Sequence, residues 1–209
     1  EFNDHASLKA LALLLPEASA HQARKPIKLP SGDGLFVGRE ALLTNIRDRF
    51  LRHAEQARDM GGKKLPVQVL NGTSGIGKTR LAIEYGHRFE DNYSALLFIT
   101  ADSEERLHSD LAGLVGVLYH ENAPERNNPH EGAKLASVLR WLAEHPGWLL
   151  ILDNVDDAAT ARKVEELLDG LRAGHVIITS RISGWRRGVE PLELGVIEAG
   201  EAARYLLED

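Results

Sequence analysis

The chain of 209 residues contains no cysteine, which excludes disulfides and any Cys-ligated zinc centre. No apolar run approaches the roughly 20 residues that a membrane-spanning helix needs. The nine histidines never fall into HExxH or a comparable ligand spacing, so they read as scattered surface and core residues. An excess of positive charge is missing as well. With 25 Lys and Arg against 31 Asp and Glu, the formal net charge is −6, and no overall field draws the molecule to nucleic acid or to anionic lipid. What is present is ordinary for a folded domain: 43% hydrophobic and 27% charged residues lie far from the disordered regime. This length suits one well-packed domain with an arm. Leu11 to Leu15 followed by Ala18-Ser19-Ala20 mimics a signal-peptide core, but Glu1 and Asp4 stand where positive charge belongs, and a cytoplasmic location is expected. Glu1-Phe2, with no initiator Met, reads as a cloning remnant on a piece of a longer protein.

Along the chain, residues 8–15 suit a short helix that Pro16 stops, and Pro26, Pro30, Gly32 and Gly34 suggest an extended linker. Residues 1–34 are therefore expected to form an arm, and residues 35–209 the domain. From Glu40, the positions Leu43, Ile46 and Phe50 recur at helical spacing up to Gly61-Gly62. Short apolar runs then alternate with amphipathic segments. The runs are Val67 to Leu70, Ala95 to Thr100, Trp148 to Leu152 and His175 to Thr179, with Leu192 to Leu194 as a short fifth. Between them, helices are predicted from Lys78 to Phe89, through Leu107, Leu111, Leu114, Val115 and Leu118, through Leu135, Val138, Leu139 and Leu142, and through Val164, Leu167, Leu168 and Leu171. A last helix is expected from Glu198. Continuous apolar strands separated by amphipathic helices predict an α/β fold of three layers, with a mostly parallel sheet of about five strands covered on both faces.

One stretch carries chemistry. Asn71 to Thr79 reads NGTSGIGKT, and the pattern Gly72-x-x-x-x-Gly77-Lys78-Thr79 lies between a predicted strand and a predicted helix. Glycines let the backbone wrap an anion, so that the N–H groups of Gly72, Ser74, Gly75, Ile76 and Gly77 and the helix N-terminus face phosphate. Lys78 supplies a flexible cation for the outer phosphates, and Thr79 a hydroxyl ligand for Mg²⁺. The ligand this predicts is ATP or ADP with Mg²⁺. Two observations argue against a dehydrogenase loop: the glycine spacing is one residue short, and no tyrosine has a lysine four positions later. The strand Trp148 to Leu152 runs into Asp153, the acid expected to complete the Mg²⁺ site; its alternative reading is a helix cap. Arg181, just beyond the strand His175 to Thr179, is placed on the same sheet edge as a sensor of the γ-phosphate, the alternative being a solvated surface arginine.

Four blocks in order resemble the STAND ATPases of the NB-ARC type: Phe36-Val37-Gly38-Arg39-Glu40, Asn71 to Thr79, Leu149 to Asp157 (LLILDNVDD) and Gly174 to Arg181 (GHVIITSR). The resemblance implies a switch in which ADP holds a larger protein closed and ATP permits opening and self-association. It further implies that Val37 and Gly38 read the adenine edge and that Arg39 makes a contact nearby. The family's helical and winged-helix lobes, and any effector or sensor domain, have no counterpart in these residues, and the resemblance leaves those partners unidentified. Two departures stand out. Asn154 occupies the place of a second acid that polarises water, leaving Asp156 or Asp157 to substitute, with Asp157 taken as the candidate base. Arg80 replaces a small hydroxyl residue at a nucleotide-contacting position. Slow hydrolysis follows as an expectation, since losing a well-placed base costs on the order of 10²-fold in rate. Two other classes compete: an AAA+ ATPase of the origin-recognition kind, disfavoured by the acidic balance, and a scaffold module that retains nucleotide without hydrolysing it.

Overall fold

The computed structural model describes residues 25–32, 36, 38–59, 65–172, 174–185 and 190–195. Six strands, β1 (Ile27–Lys28), β2 (Val67–Asn71), β3 (Ala95–Thr100), β4 (Trp148–Asp153), β5 (His175–Ser180) and β6 (Glu190–Glu193), form one sheet in the order β1-β3-β4-β5-β2-β6. Every neighbouring pair is parallel. The α-helices are α1 (Glu40–Asp59), α2 (Lys78–Arg88), α3 (Glu104–Gly113), α4 (Val115–Leu118), α5 (Pro124–Asn127), α6 (Glu131–Glu144) and α7 (Ala158–Asp169). Among the described residues, no helix is long and apolar enough to cross a membrane.

The sheet separates two hydrophobic cores, and the period-2 alternation of the strands assigns each side chain to one of them. In β4, Leu149 and Ile151 face the core completed by Leu43, Ile46 and Phe50 of α1 and by Leu81 and Tyr85 of α2. Trp148, Leu150 and Leu152 face the other core, with Leu107 and Leu111 of α3, Val138 and Leu142 of α6, and Val164 and Leu168 of α7. Covered on both faces, β4 has no need of polar residues before Asp153, which explains why it reads as one apolar run.

Several predicted elements differ in detail. The segment expected as a linker is extended, but Ile27 and Lys28 pair with Leu96 and Leu97 of β3 and add an edge strand. It is strapped to α2: His87 Nε2 lies 2.8 Å from the Pro30 carbonyl, and a Cβ on Gly86 would come within 2.9 Å of Leu29. The single helix predicted through Leu118 is broken into α3 and α4. There the Leu114 N–H bonds three residues back to Leu111, a tightening next to Gly113, whose helix propensity is poor. α5 was not predicted. The fifth strand spans Glu190–Glu193 and takes Pro191 because it lies at a sheet edge. The helices expected at residues 8–15 and from Glu198 lie outside the described residues.

A buried polar cluster anchors α1. The Phe50 ring stacks on His175 with centroids 4.2 Å apart, Tyr93 Oη lies 2.9 Å from His175 Nδ1, and Tyr85 Oη lies 2.9 Å from Tyr93 Oη. Burial, and then the neighbouring His53, lower the His175 pKa from 6.5 to about 4. The unfolded chain therefore binds this proton more readily than the native one. The stability from neutral His175 is complete above pH about 6.5 and drains away as pH falls toward about 4. Urea midpoints measured across that window should decline in the native sequence and decline less in His175→Gln; parallel declines would place the acid sensitivity elsewhere.

Candidate functional site

Beyond Asn71 the chain turns through Gly72 to Gly77 into α2. Two glycines there are required by space as well as by conformation. Gly72 has φ 152°, and a Cβ would lie 3.0 Å from the Leu194 carbonyl oxygen; Gly77 has φ 91°, and a Cβ would lie 2.9 Å from the Arg39 guanidinium. Asn71 fixes the start of the loop, accepting the Gly72 N–H on Oδ1 at 2.9 Å and donating from Nδ2 to Glu193 Oε1 at 2.9 Å.

The start of α2 lacks the side-chain groups that most directly satisfy a helix N-terminus. Ser103 caps α3 and Asp157 caps α7 through their side chains, whereas the Gly77 cap of α2 has no side-chain hydrogen bond and its first turn holds no acid. Instead a cation, Lys78, stands at the positive end of the helix dipole. For the helix alone both features are unfavourable; a phosphate group reverses the sign of each. Lys78 Nζ donates to the carbonyls of Gly72 at 2.8 Å and Thr73 at 3.0 Å, so the ammonium bridges the loop it belongs to.

The sheet order brings the remaining groups to the same carboxyl edge. β5 lies between β2 and β4, so the ends of all three strands are adjacent. Asp153 Oδ1 accepts the Thr79 hydroxyl at 2.7 Å and the Thr179 hydroxyl at 2.6 Å, joining the helix after the loop to both neighbouring strands. The Thr179 hydroxyl in turn accepts the N–H of Asn154, whose φ is 67°. Val155 N–H donates to the Thr179 carbonyl at 3.0 Å, and the Ser180 hydroxyl donates to the Val155 carbonyl. The loop after β4 and the end of β5 are thus sewn together.

The predicted site residues divide accordingly. Gly72, Ser74, Gly75, Ile76, Gly77, Lys78 and Thr79 form the loop and helix start, and Asp153 meets Thr79. Gly38, with φ 82°, precedes Arg39, whose side chain is buried against Gly77 and donates to the Gly195 carbonyl at 3.3 Å. Val37 lies outside the described residues. Arg80 donates to the Gly32 carbonyl at 3.1 Å and pairs with Glu84 at 3.9 Å, so these contacts serve the strap over α2.

Asp157, expected as the substitute base, is the N-cap of α7. It accepts from the N–H groups of Ala159 at 2.8 Å and Thr160 at 3.0 Å. Hydrogen bonding from Thr160, first from its side chain and then from its backbone, holds the Asp157 carboxyl below the usual range, which makes it a poorer base. Asp156 is committed to Arg181. Its Oδ1 accepts the Arg181 N–H at 2.8 Å and its Oδ2 the Arg181 Nε–H at 2.6 Å. Sequence reasoning passed over Thr179 and Glu193. A hydroxyl at the buried end of an apolar strand was the available signal for Thr179; Glu193 had none.

Comparison with known proteins bears on the fold. No family model matches the chain. Over 169 residues it is 26% identical to the regulatory protein AfsR of Streptomyces coelicolor, an alignment that takes in 76% of the chain and 16% of AfsR. Among solved structures it is similar to the Aeropyrum pernix ORC1 protein, solved in complex with DNA, at TM-score 0.52 and 18% identity, covering 85% of the chain and 50% of that one. It is also similar to a signal transduction ATPase with numerous domains (STAND) from Pyrococcus horikoshii, which carries a tetratricopeptide repeat sensor. That match has TM-score 0.50 and 23% identity over 88% of the chain and 26% of the other. The likeness to these two structures is one of fold, the α/β fold of P-loop ATPases. The chain spans about one sixth of the length of AfsR.

Proposed function

We propose that this chain is the ADP- and ATP-binding core of a STAND-type switch, with Mg²⁺ as the companion ion. The observation that carries the reading is the junction of loop, lysine and acid: an uncapped helix start holding Lys78, with the Thr79 hydroxyl 2.7 Å from Asp153. A bound Mg²⁺ would neutralise phosphate charge, and Thr79 and Asp153 offer it two hard oxygen ligands beside phosphate and water, a set that suits this ion. The residues Gly72 to Gly77 orient the phosphates through backbone N–H groups, and Arg39, packed on Gly77, holds the loop from behind.

Hydrolysis is slow in this reading, because Asn154 cannot take a proton and both following carboxylates are engaged, Asp156 by Arg181 and Asp157 by the start of α7. The same observation favours a second reading, a scaffold that retains nucleotide without turning it over. Single-turnover release of γ-phosphate, compared with Asp153→Ala, separates the two. The switch itself, with opening and self-association of a longer protein, is supported by the sequence similarity to AfsR and by the four ordered blocks that resemble STAND ATPases.

The binding test is calorimetry of ATP with Mg²⁺ and with chelator. Native protein should bind more tightly with the metal, and in Asp153→Ala that difference should shrink about tenfold or vanish. A variant that keeps the full metal dependence would remove Asp153 from the site.

A further inference from the structure

Asp156 is the acid that the chemistry above leaves without a catalytic part, and its position is unusual. It lies between Val155, whose N–H is bonded to Thr179, and Asp157, which caps α7, so its backbone is held from both sides. Its side chain is 14% exposed while that of its partner Arg181 is 55% exposed. The carboxylate takes the backbone N–H and the Nε–H of the same arginine, at 2.8 and 2.6 Å. A two-point grip of this kind fixes where the guanidinium begins its reach. Nη1 and Nη2 are still available to another acceptor, since among the described residues they bond to none. Arg181 follows Thr179 by two residues, and Thr179 shares Asp153 with Thr79 of the phosphate site.

From this geometry we infer that Asp156 is a latch on Arg181: its carboxylate competes with the outermost phosphate of a nucleoside triphosphate for the guanidinium, and so biases the site toward the diphosphate. The inference rests on the nucleotide-binding reading given above and deepens it. A diphosphate places no charge at the outermost position, so the arginine stays with Asp156. A triphosphate offers a second anion; Nη1 and Nη2 supply the donors for it, but drawing the guanidinium toward it stretches the Nε–H bond, because the backbone of Asp156 is tied to β5 and α7 and cannot follow. The energy of the ion pair is thus subtracted from triphosphate binding and not from diphosphate binding, which is the differential contact that any nucleotide switch requires. Half-exposed ion pairs are individually modest, but this one is short, charge-assisted and anchored to a largely buried acid.

Asp156→Asn tests the latch with little disturbance of shape. Asn keeps an oxygen for the Arg181 N–H, and therefore the end of β5, but loses the charge and the acceptor for Nε–H. Calorimetric affinities of the intact chain for ATP and ADP should show the ATP-to-ADP preference rising by about three- to tenfold, ADP affinity itself staying constant. Asp156→Glu should restore the native ratio. In Arg181→Gln the ATP preference should fall, and adding Asp156→Asn to it should change nothing further. If Asp156→Asn leaves the ratio unchanged while Arg181→Gln lowers it, the latch is wrong and the phosphate-sensing arginine stands. If Arg181→Gln leaves the ratio unchanged, both are wrong, although the nucleotide site remains as long as Lys78→Ala still weakens binding. Should Asp156→Asn unfold, Asp156→Glu with a ratio unlike the native one would overturn the latch by itself.

Discussion

Lys78→Ala is expected to weaken binding of both ADP and ATP by on the order of 10²-fold or more, with little harm to the fold. The ammonium bridges the Gly72 and Thr73 carbonyls, placing it in the one segment where uncapped amides and the positive end of α2 already gather. Deleting it removes a charge-assisted contact from the ligand. The apolar contacts of α2 run through Leu81, Ala82 and Tyr85 and are left alone. Removing a cation from a helix N-terminus should even stabilise α2, by about 0.3–1 kcal/mol. The two effects have opposite signs, which makes the test clean. Thermal melts without nucleotide should match or exceed those of the native chain, whereas the rise in melting temperature on adding nucleotide should disappear. A variant with lowered stability and native affinity would mean that Lys78 serves the fold and not the ligand.

Trp148→Ala should cost about 3–5 kcal/mol of stability, enough to leave a domain of ordinary stability marginal. The indole is fully buried at the start of β4, and its Nε1–H donates to the Leu142 carbonyl at 2.8 Å. How closely its surroundings fit is measured by Gly174, where a Cβ would fall 2.3 Å from the ring atoms. Truncation leaves a large hole in the core shared with α3, α6 and α7 and deprives a buried carbonyl of its donor. Equilibrium denaturation reads the loss directly. Trp148→Phe should fall between the two, since it refills part of the volume without the N–H. Because Trp148 lies at the opposite end of β4 from Asp153, nucleotide affinity of the folded fraction should be unchanged. A loss below about 1 kcal/mol would mean that the core closes over the gap.

How much of this was readable in advance depends on the range of the interaction. The glycine loop, Lys78 and Thr79 were legible because their meaning lies within nine consecutive residues between a strand and a helix. Asp153 was legible because an acid ending an otherwise apolar strand needs a reason. For Asp157 the sequence did not show the capping role, because an acid before a helix can act as base or as cap and the two look alike in sequence. The choice depended on whether Ala159 and Thr160 would present their N–H groups to it, which they do. Arg181 was legible as a cation on the right sheet edge, but not as the partner of Asp156, 25 residues earlier.

By itself the sequence determined the main strands and helices, the two-sided burial of the strands and the glycine loop between β2 and α2, since each is written in side-chain periodicity or in backbone freedom over a few neighbouring residues. Only the tertiary structure decided the order β1-β3-β4-β5-β2-β6, and with it everything that depends on adjacency: Thr79 and Thr179 on one oxygen of Asp153, Arg39 behind Gly77, and Asp156 closed on Arg181. The physical reason is that apolar strands buried on both faces are nearly interchangeable by pattern. Which two lie side by side is settled by how the whole set of helices covers the sheet, and that is a property of no single segment.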